Sequence, residues 1–189
     1  MALTFREAYD TILSELGEGL GAIDEKEVTH VVERIIEKKN VFVVGAGRVG
    51  LMLRTFAMRL LHLGFGSHIA GSVTCPPIGG GDLLLVASSS GETATILEVV
   101  RRAHRVGAEI IALTARPTSA IARLASGTLF IEAPSSLVHA GEGGIVSDQP
   151  MKTLFEQSLF VLLESMVLLL MQQTGQKADD MVRRHTNLE

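Results

Sequence analysis

The chain has 189 residues, 47% hydrophobic and 20% charged, which is enough apolar material for one substantial core and unlike the composition of a disordered protein. Its formal net charge of −4, with scattered Lys and Arg, excludes a broad nucleic-acid footprint but leaves room for a local anion pocket. Cys75 is the only cysteine and makes no internal disulfide, and the start "MALTFREAYD" lacks the basic and apolar regions of a secretory signal, so a single cytoplasmic domain is expected.

In chain order, "FREAYDTILSEL" sets Phe5, Ala8, Tyr9, Ile12, Leu13 and Leu16 on one face of a helix, which "GEGLG" ends. Asp24 and Glu27 read as an Asp-x-x-Glu capping box opening a second helix, with Val28, Val31, Val32, Ile35 and Ile36 at helical spacing. The pattern then changes. "VFVVG", "SHIAG", "DLLLVAS", "EIIALT" and "TLFIE" are short apolar runs without polar alternation, as expected of strands covered on both faces. Helical stretches around 48–63, 92–106 and 118–125 lie between several of them, two ending at Gly64 and Gly107. This alternation predicts an α/β fold, three layers with an open parallel sheet flanked by helices.

Near the C-terminus, "PMKTLFEQSLFVLLESMVLLLMQQTG" begins with a proline suited to a helix start and stays apolar on most faces. Glu164 interrupts the run, leaving stretches shorter than the roughly 20 residues a membrane span needs. We therefore expect a buried helix and no membrane partner. One domain of this size has no room to cover such a helix on every side, so burial against a second subunit is expected.

"VFVVGAGRVG" ends with Gly45, Gly47 and Gly50 in the Gly-x-Gly-x-x-Gly spacing of a dinucleotide site. That site also needs an acidic residue about 20 positions on, to hold the ribose hydroxyls. No Asp or Glu occurs from Lys38 through Gly81, which argues against NAD and for glycines that let the chain turn and pack closely. Arg48, in the first turn of the following helix, suits an anionic or hydroxyl-rich ligand, with a plain surface arginine as the alternative.

"SSSGET" follows the third strand, at the sheet edge where open α/β folds bind ligands. Ser88, Ser90 and Thr93 offer hydroxyls, Gly91 admits close backbone approach, and the next helix offers free N–H groups at its positive end. The lysine of a P-loop is absent, so a single phosphate monoester suits this loop better than a nucleotide. A hydroxyl-rich helix cap is the plainer reading.

The Ser-x-Ser-Gly-x-Thr loop resembles that of SIS (sugar isomerase) domains. Together with "VFVVGAGRVG", "FAMRLLHLGF", "QPMKTLFEQSLFVLLE" and "MVRRHTNLE", it makes nearly the whole chain resemble the 6-phospho-3-hexuloisomerases. That resemblance implies a five-stranded flavodoxin-like sheet spanning 1–189 as one domain, with N-terminal helices over 4–39 and C-terminal helices over 150–185 at subunit interfaces. It also implies a homotetramer with active sites between subunits. The implied reaction interconverts D-arabino-hex-3-ulose 6-phosphate and fructose 6-phosphate, as in formaldehyde assimilation by the ribulose monophosphate route.

Such a reaction needs a base to take a carbon-bound proton, an enediolate and proton return, and it requires no metal and no cofactor. Glu156, in "LFEQS", is the expected base: a carboxylate near the start of an apolar helix is partly desolvated, although complementing the helix dipole is the alternative reading. His185, in "RRHTNLE", is the expected assistant, relaying oxygen protons into a neighbouring subunit's site. Ser88, Ser89, Ser90, Gly91, Thr93, Gly47, Arg48 and Thr74 are the expected phosphate or substrate contacts. The remaining histidines and Cys75 show no ligand spacing for zinc.

The chain departs from the family pattern around this site. Val49 replaces the serine of Gly-x-Gly-Arg-Ser-Gly, Ser72 stands where an acidic residue is frequent, and Lys152 stands where glycine is common. "PSSLVHAGEGGIVSDQ" suits a lid or a linker equally. Two alternatives stay open: a binding module that senses a phosphosugar without turning it over, and an aldose-ketose isomerase shifting a carbonyl between C1 and C2.

Overall fold

A computed structural model describes residues 2–134 and 145–188. Helix α1 (Phe5–Gly21) opens with a reciprocal box, the Glu7 N–H donating to the Thr4 hydroxyl at 3.3 Å and the Thr4 N–H to the Glu7 carboxylate at 2.8 Å. The glycine-rich stretch forms its last turn rather than interrupting it. A Cβ on Gly19 would stand 3.1 Å from the Glu132 carbonyl oxygen, so this glycine serves close approach. In α2 (Glu25–Glu37), Asp24 caps by accepting the Lys26 N–H at 2.8 Å, but the expected box with Glu27 does not form. The Glu27 carboxylate instead accepts the Phe130 N–H at 3.1 Å and ties the helix to the sheet edge, a long-range partner that local spacing does not encode.

All five predicted strands form: β1 (Asn40–Val44), β2 (Gly66–Ile69), β3 (Leu83–Ala87), β4 (Glu109–Thr114) and β5 (Gly127–Phe130). They pair in parallel in the order β2-β1-β3-β4-β5, the flavodoxin-like order, with Val43 opposite Ile69 and Val44 opposite Val86. Alternate strand residues serve two cores. Val41, Val43, Leu83, Leu85, Ile111 and Leu113 meet α2, α3 (Gly47–His62) and α6 (Thr153–Thr174), whereas Phe42, Val44, Leu84, Val86, Ile110 and Ala112 meet α4 (Ala94–Arg105) and α5 (Ala120–Leu124). Burial on both faces is why the strands read as unbroken apolar runs. Gly64 and Gly107 take positive φ after α3 and α4, as their positions predict.

Helix α6 begins at Thr153 rather than at Pro150, whose carbonyl accepts the Thr153 hydroxyl at 2.7 Å. Glu164 notwithstanding, α6 is, by length and composition, long and apolar enough to cross a membrane, and half of its most apolar stretch is buried inside the chain. The inner side, including Phe155, Leu159, Leu163 and Leu170, lies in the core. Its outer side exposes Leu168 at 67%, and α1, which packs on α6, exposes Phe5 at 85% and Leu13 at 50%. The predicted apolar face of α1 is thus largely uncovered within one chain. A short final helix, α7 (Ala178–Arg183), rests on α3, where the Arg184 guanidinium donates to the His62 carbonyl at 3.1 Å.

Candidate active site

Between β1 and β3 the strand order reverses, and the carboxyl ends of these strands carry the two loops singled out by sequence. At the end of β1, Gly47 opens α3 with φ +55°, and a Cβ on Gly50 would stand 2.5 Å from the Gly45 carbonyl oxygen. Gly47 and Gly50 therefore answer to a tight turn and close helix packing. Val49 is buried in the core, so the hydroxyl that this chain lacks there is replaced by packing.

At the end of β3, the Ser88 hydroxyl accepts the Gly91 N–H at 3.1 Å and lies 3.2 Å from the Thr93 hydroxyl. The Ser90 hydroxyl accepts the Glu92 N–H at 3.4 Å. Ser89 turns away and donates to the Pro134 carbonyl at 3.4 Å, so its side chain serves as a tether. Thr93 is the N-cap residue of α4, yet its side chain makes no capping hydrogen bond to that helix. The cap reading of the loop is thereby disfavoured. Supporting residues that sequence reasoning missed hold the loop. Thr114 donates to the Ser89 carbonyl at 3.2 Å, the Glu92 carboxylate accepts the Ala120 N–H at 2.8 Å, and the Ile121 N–H donates to the Gly91 carbonyl at 3.1 Å. No spacing rule links them, because β4 and α5 supply partners from far along the chain.

Arg48 and Glu156 meet across α3 and α6. The Arg48 Nε lies 2.9 Å from the Glu156 carboxylate, which is 14% exposed, while the arginine is 58% exposed. Both sit in the first turns of packed helices, at the same end of the sheet as the serine loop. Like α4, α3 and α6 start without a side-chain cap. Lys152, the N-cap residue of α6, precedes Glu156 by one turn. Burial pushes its ammonium below the ordinary lysine range, with the Glu156 charge acting in the opposite sense.

Two expected contacts lie elsewhere. Thr74, 3.2 Å from the Ser72 hydroxyl, lines a cleft of about 280 Å³ along the β2 edge together with Arg54, His68 and Cys75. His185 follows α7 and its ring lies tilted against that of the buried His62, ring centroids 5.2 Å apart, at the far end of α3 from Arg48. The helical rise puts roughly 21 Å between those ends. The fold therefore keeps His185 away from Glu156 within one chain. The loop spanning 133–149 lies mostly outside the described residues, but its end is anchored: Ser147, Gln149 and the Asp148 N–H donate to Glu15 at 2.6, 2.9 and 2.8 Å. Burial acts to raise the Glu15 carboxyl, and these bonds outweigh it to leave the group below its ordinary range.

Comparison with known proteins gives a consistent picture. Residues 34–142 match the SIS domain family. The chain is 37% identical over 178 residues to the 3-hexulose-6-phosphate isomerase of Bacillus subtilis, covering 94% of this chain and 95% of the relative. With the enzyme of the same name from Mycobacterium gastri, identity is 40% over 178 residues, covering 94% and 88%. A crystal structure of a Methanococcus jannaschii protein, from which a 3-hexulose-6-phosphate isomerase function was inferred, superimposes with a TM-score of 0.81 at 28% identity, covering 97% of this chain and 99% of that one.

Proposed function

The chain belongs to the SIS domain family, and on that premise we propose that it is a phosphosugar isomerase interconverting D-arabino-hex-3-ulose 6-phosphate and fructose 6-phosphate. The observation that carries the reading is the Arg48–Glu156 pair, a partly desolvated carboxylate at the sheet edge that also bears a serine loop and uncapped helix amides.

In this mechanism Ser88, Ser90, Thr93 and the first amides of α4 hold the phosphate, with Gly91 allowing close approach. Glu156 takes the C2 proton of the hexulose as the electron pair of that C–H bond forms the C2–C3 double bond and the carbonyl pair moves onto O3. The enediolate then regains a proton at C3 from Glu156, while the O2 proton passes to O3, leaving the C3 hydroxyl and the carbonyl at C2. Arg48 orients the carboxylate and faces the sugar with its remaining N–H groups.

His185 acts from a neighbouring copy in this reading. Its distance from Glu156 along α3 and the uncovered apolar faces of α1 and α6 support a homo-oligomer, a tetramer by resemblance, with the terminal helices at its interfaces. A cytoplasmic setting without a membrane or nucleic-acid partner goes with this proposal.

The test is proton NMR of fructose 6-phosphate with the purified protein in heavy water. Washout of the C3 proton, abolished by Glu156→Gln, is expected. Washout at C1 would indicate an aldose-ketose isomerase instead, and retention of both protons would leave a phosphosugar-binding module.

A further inference from the structure

Lys152 carries a charge that the fold leaves without a settled partner. Its carbonyl accepts the Glu156 N–H at 3.1 Å, which sets the two residues one turn apart at the start of α6, and the Glu156 charge reaches the Lys152 ammonium. The lysine is half-buried, yet among the described residues no hydrogen bond or ion pair within 4 Å engages its ammonium. Nor does it cap the helix it begins. The carboxylate whose charge acts on it, Glu156, is already held by Arg48, and burying an ammonium without a partner is costly.

The charges around it are few. Glu156 acts on it directly, and Arg48 of α3 acts through its pair with Glu156. Such a cation, beside the carboxylate proposed as the base, is arranged to meet negative charge that arrives with the ligand. The serine loop and the α4 amides already serve the phosphate. What forms beside Glu156 is the other negative charge of the reaction, the enediolate oxygen, on the carbon next to the one that loses its proton.

We propose that Lys152 is a further catalytic residue, its ammonium donating a hydrogen bond to the substrate carbonyl oxygen and stabilising the enediolate as Glu156 removes the adjacent proton. This rests on the isomerase reading. The ammonium keeps its proton throughout the step, and no co-reactant is consumed. Because the interaction strengthens as charge develops, it acts on kcat more than on KM.

The experiment compares wild type, Lys152→Met and Lys152→Arg by steady-state kinetics on fructose 6-phosphate and by C3 proton washout, across neutral to alkaline pH. Lys152→Met is expected to lower kcat about 100-fold or more, the loss typical of removing one oxyanion donor, with KM moving less than about threefold. Lys152→Arg restores most of that loss. Wild-type kcat falls as pH rises through a value below the ordinary lysine range of about 10.4, and the arginine variant lacks this limb. Since the Lys152 side chain caps nothing, both variants keep the fold, checked by circular dichroism. A Lys152→Met enzyme with wild-type kcat, or one impaired only in KM, overturns the assignment while the isomerase reading stands. A wild-type protein that exchanges no proton of fructose 6-phosphate overturns that reading and the role of Lys152 with it.

Discussion

Gly91→Ala tests whether the serine loop is held in one conformation for its ligand. Gly91 has φ +62°, and a Cβ there would overlap the Oγ and Cβ of Ser119, with the Thr114 hydroxyl at 3.4 Å. Ser119 is 1% exposed and caps α5 by accepting the Ala122 N–H at 3.4 Å. Placing alanine in the left-handed region costs about 1–2 kcal/mol, and displacing a helix cap about 1 kcal/mol more. The sum, about 2–3 kcal/mol, lowers the melting temperature of a chain this long by roughly 4–12 °C. If the loop is the proposed phosphate cradle, the same overlap displaces the Gly91 backbone from it, so KM for fructose 6-phosphate rises as well. Differential scanning calorimetry and initial-rate kinetics read the two effects. Adding Ser119→Gly removes both overlapping atoms, so the double variant recovers part of KM although the positive-φ cost persists. A Gly91→Ala protein with wild-type melting and KM would refute the reasoning, as would a double variant no better than the single one.

Two further outcomes follow from the structure. Glu109 is held down from 4.5 to about 2, chiefly by the Arg34 hydrogen bond, against the effect of burial and with help from Lys38. A depressed carboxyl contributes stability above its unfolded value that is lost as pH falls toward 2, here at most roughly 3 kcal/mol before solvent screening. Urea midpoints of Glu109→Gln should therefore fall less steeply than those of wild type between about pH 5 and pH 2. On the proposed homo-oligomer, Leu168→Asp, on the exposed side of α6, is expected to shift the size-exclusion elution toward a single chain and to lower turnover with it; an unchanged elution volume would count against burial of this face between copies.

The sheet was legible because its signals are local. Apolar runs without alternation, helical spacing between them and glycines after α3 and α4 depend on neighbouring residues, and each strand appears where those runs lie. The serine loop was legible for the same reason, since its hydroxyls and Gly91 sit within six consecutive residues. Family resemblance, rather than any spacing rule, pointed to Glu156 and His185.

Tertiary packing decided what joins distant segments. Glu27 bonds to Phe130 instead of closing a box, because β5 brings an edge N–H to it. Arg48 pairs with Glu156 because α3 and α6 pack with their first turns together, and Lys152 comes beside the same carboxylate through the register of α6. His185 is sent to the far end of α3 by the docking of α7, where Arg184 grips the end of the helix. Sequence patterns report which face of an element is apolar. Which side chains meet is set by how those faces close over the sheet, since pairing energies between distant residues leave no periodic trace in the chain.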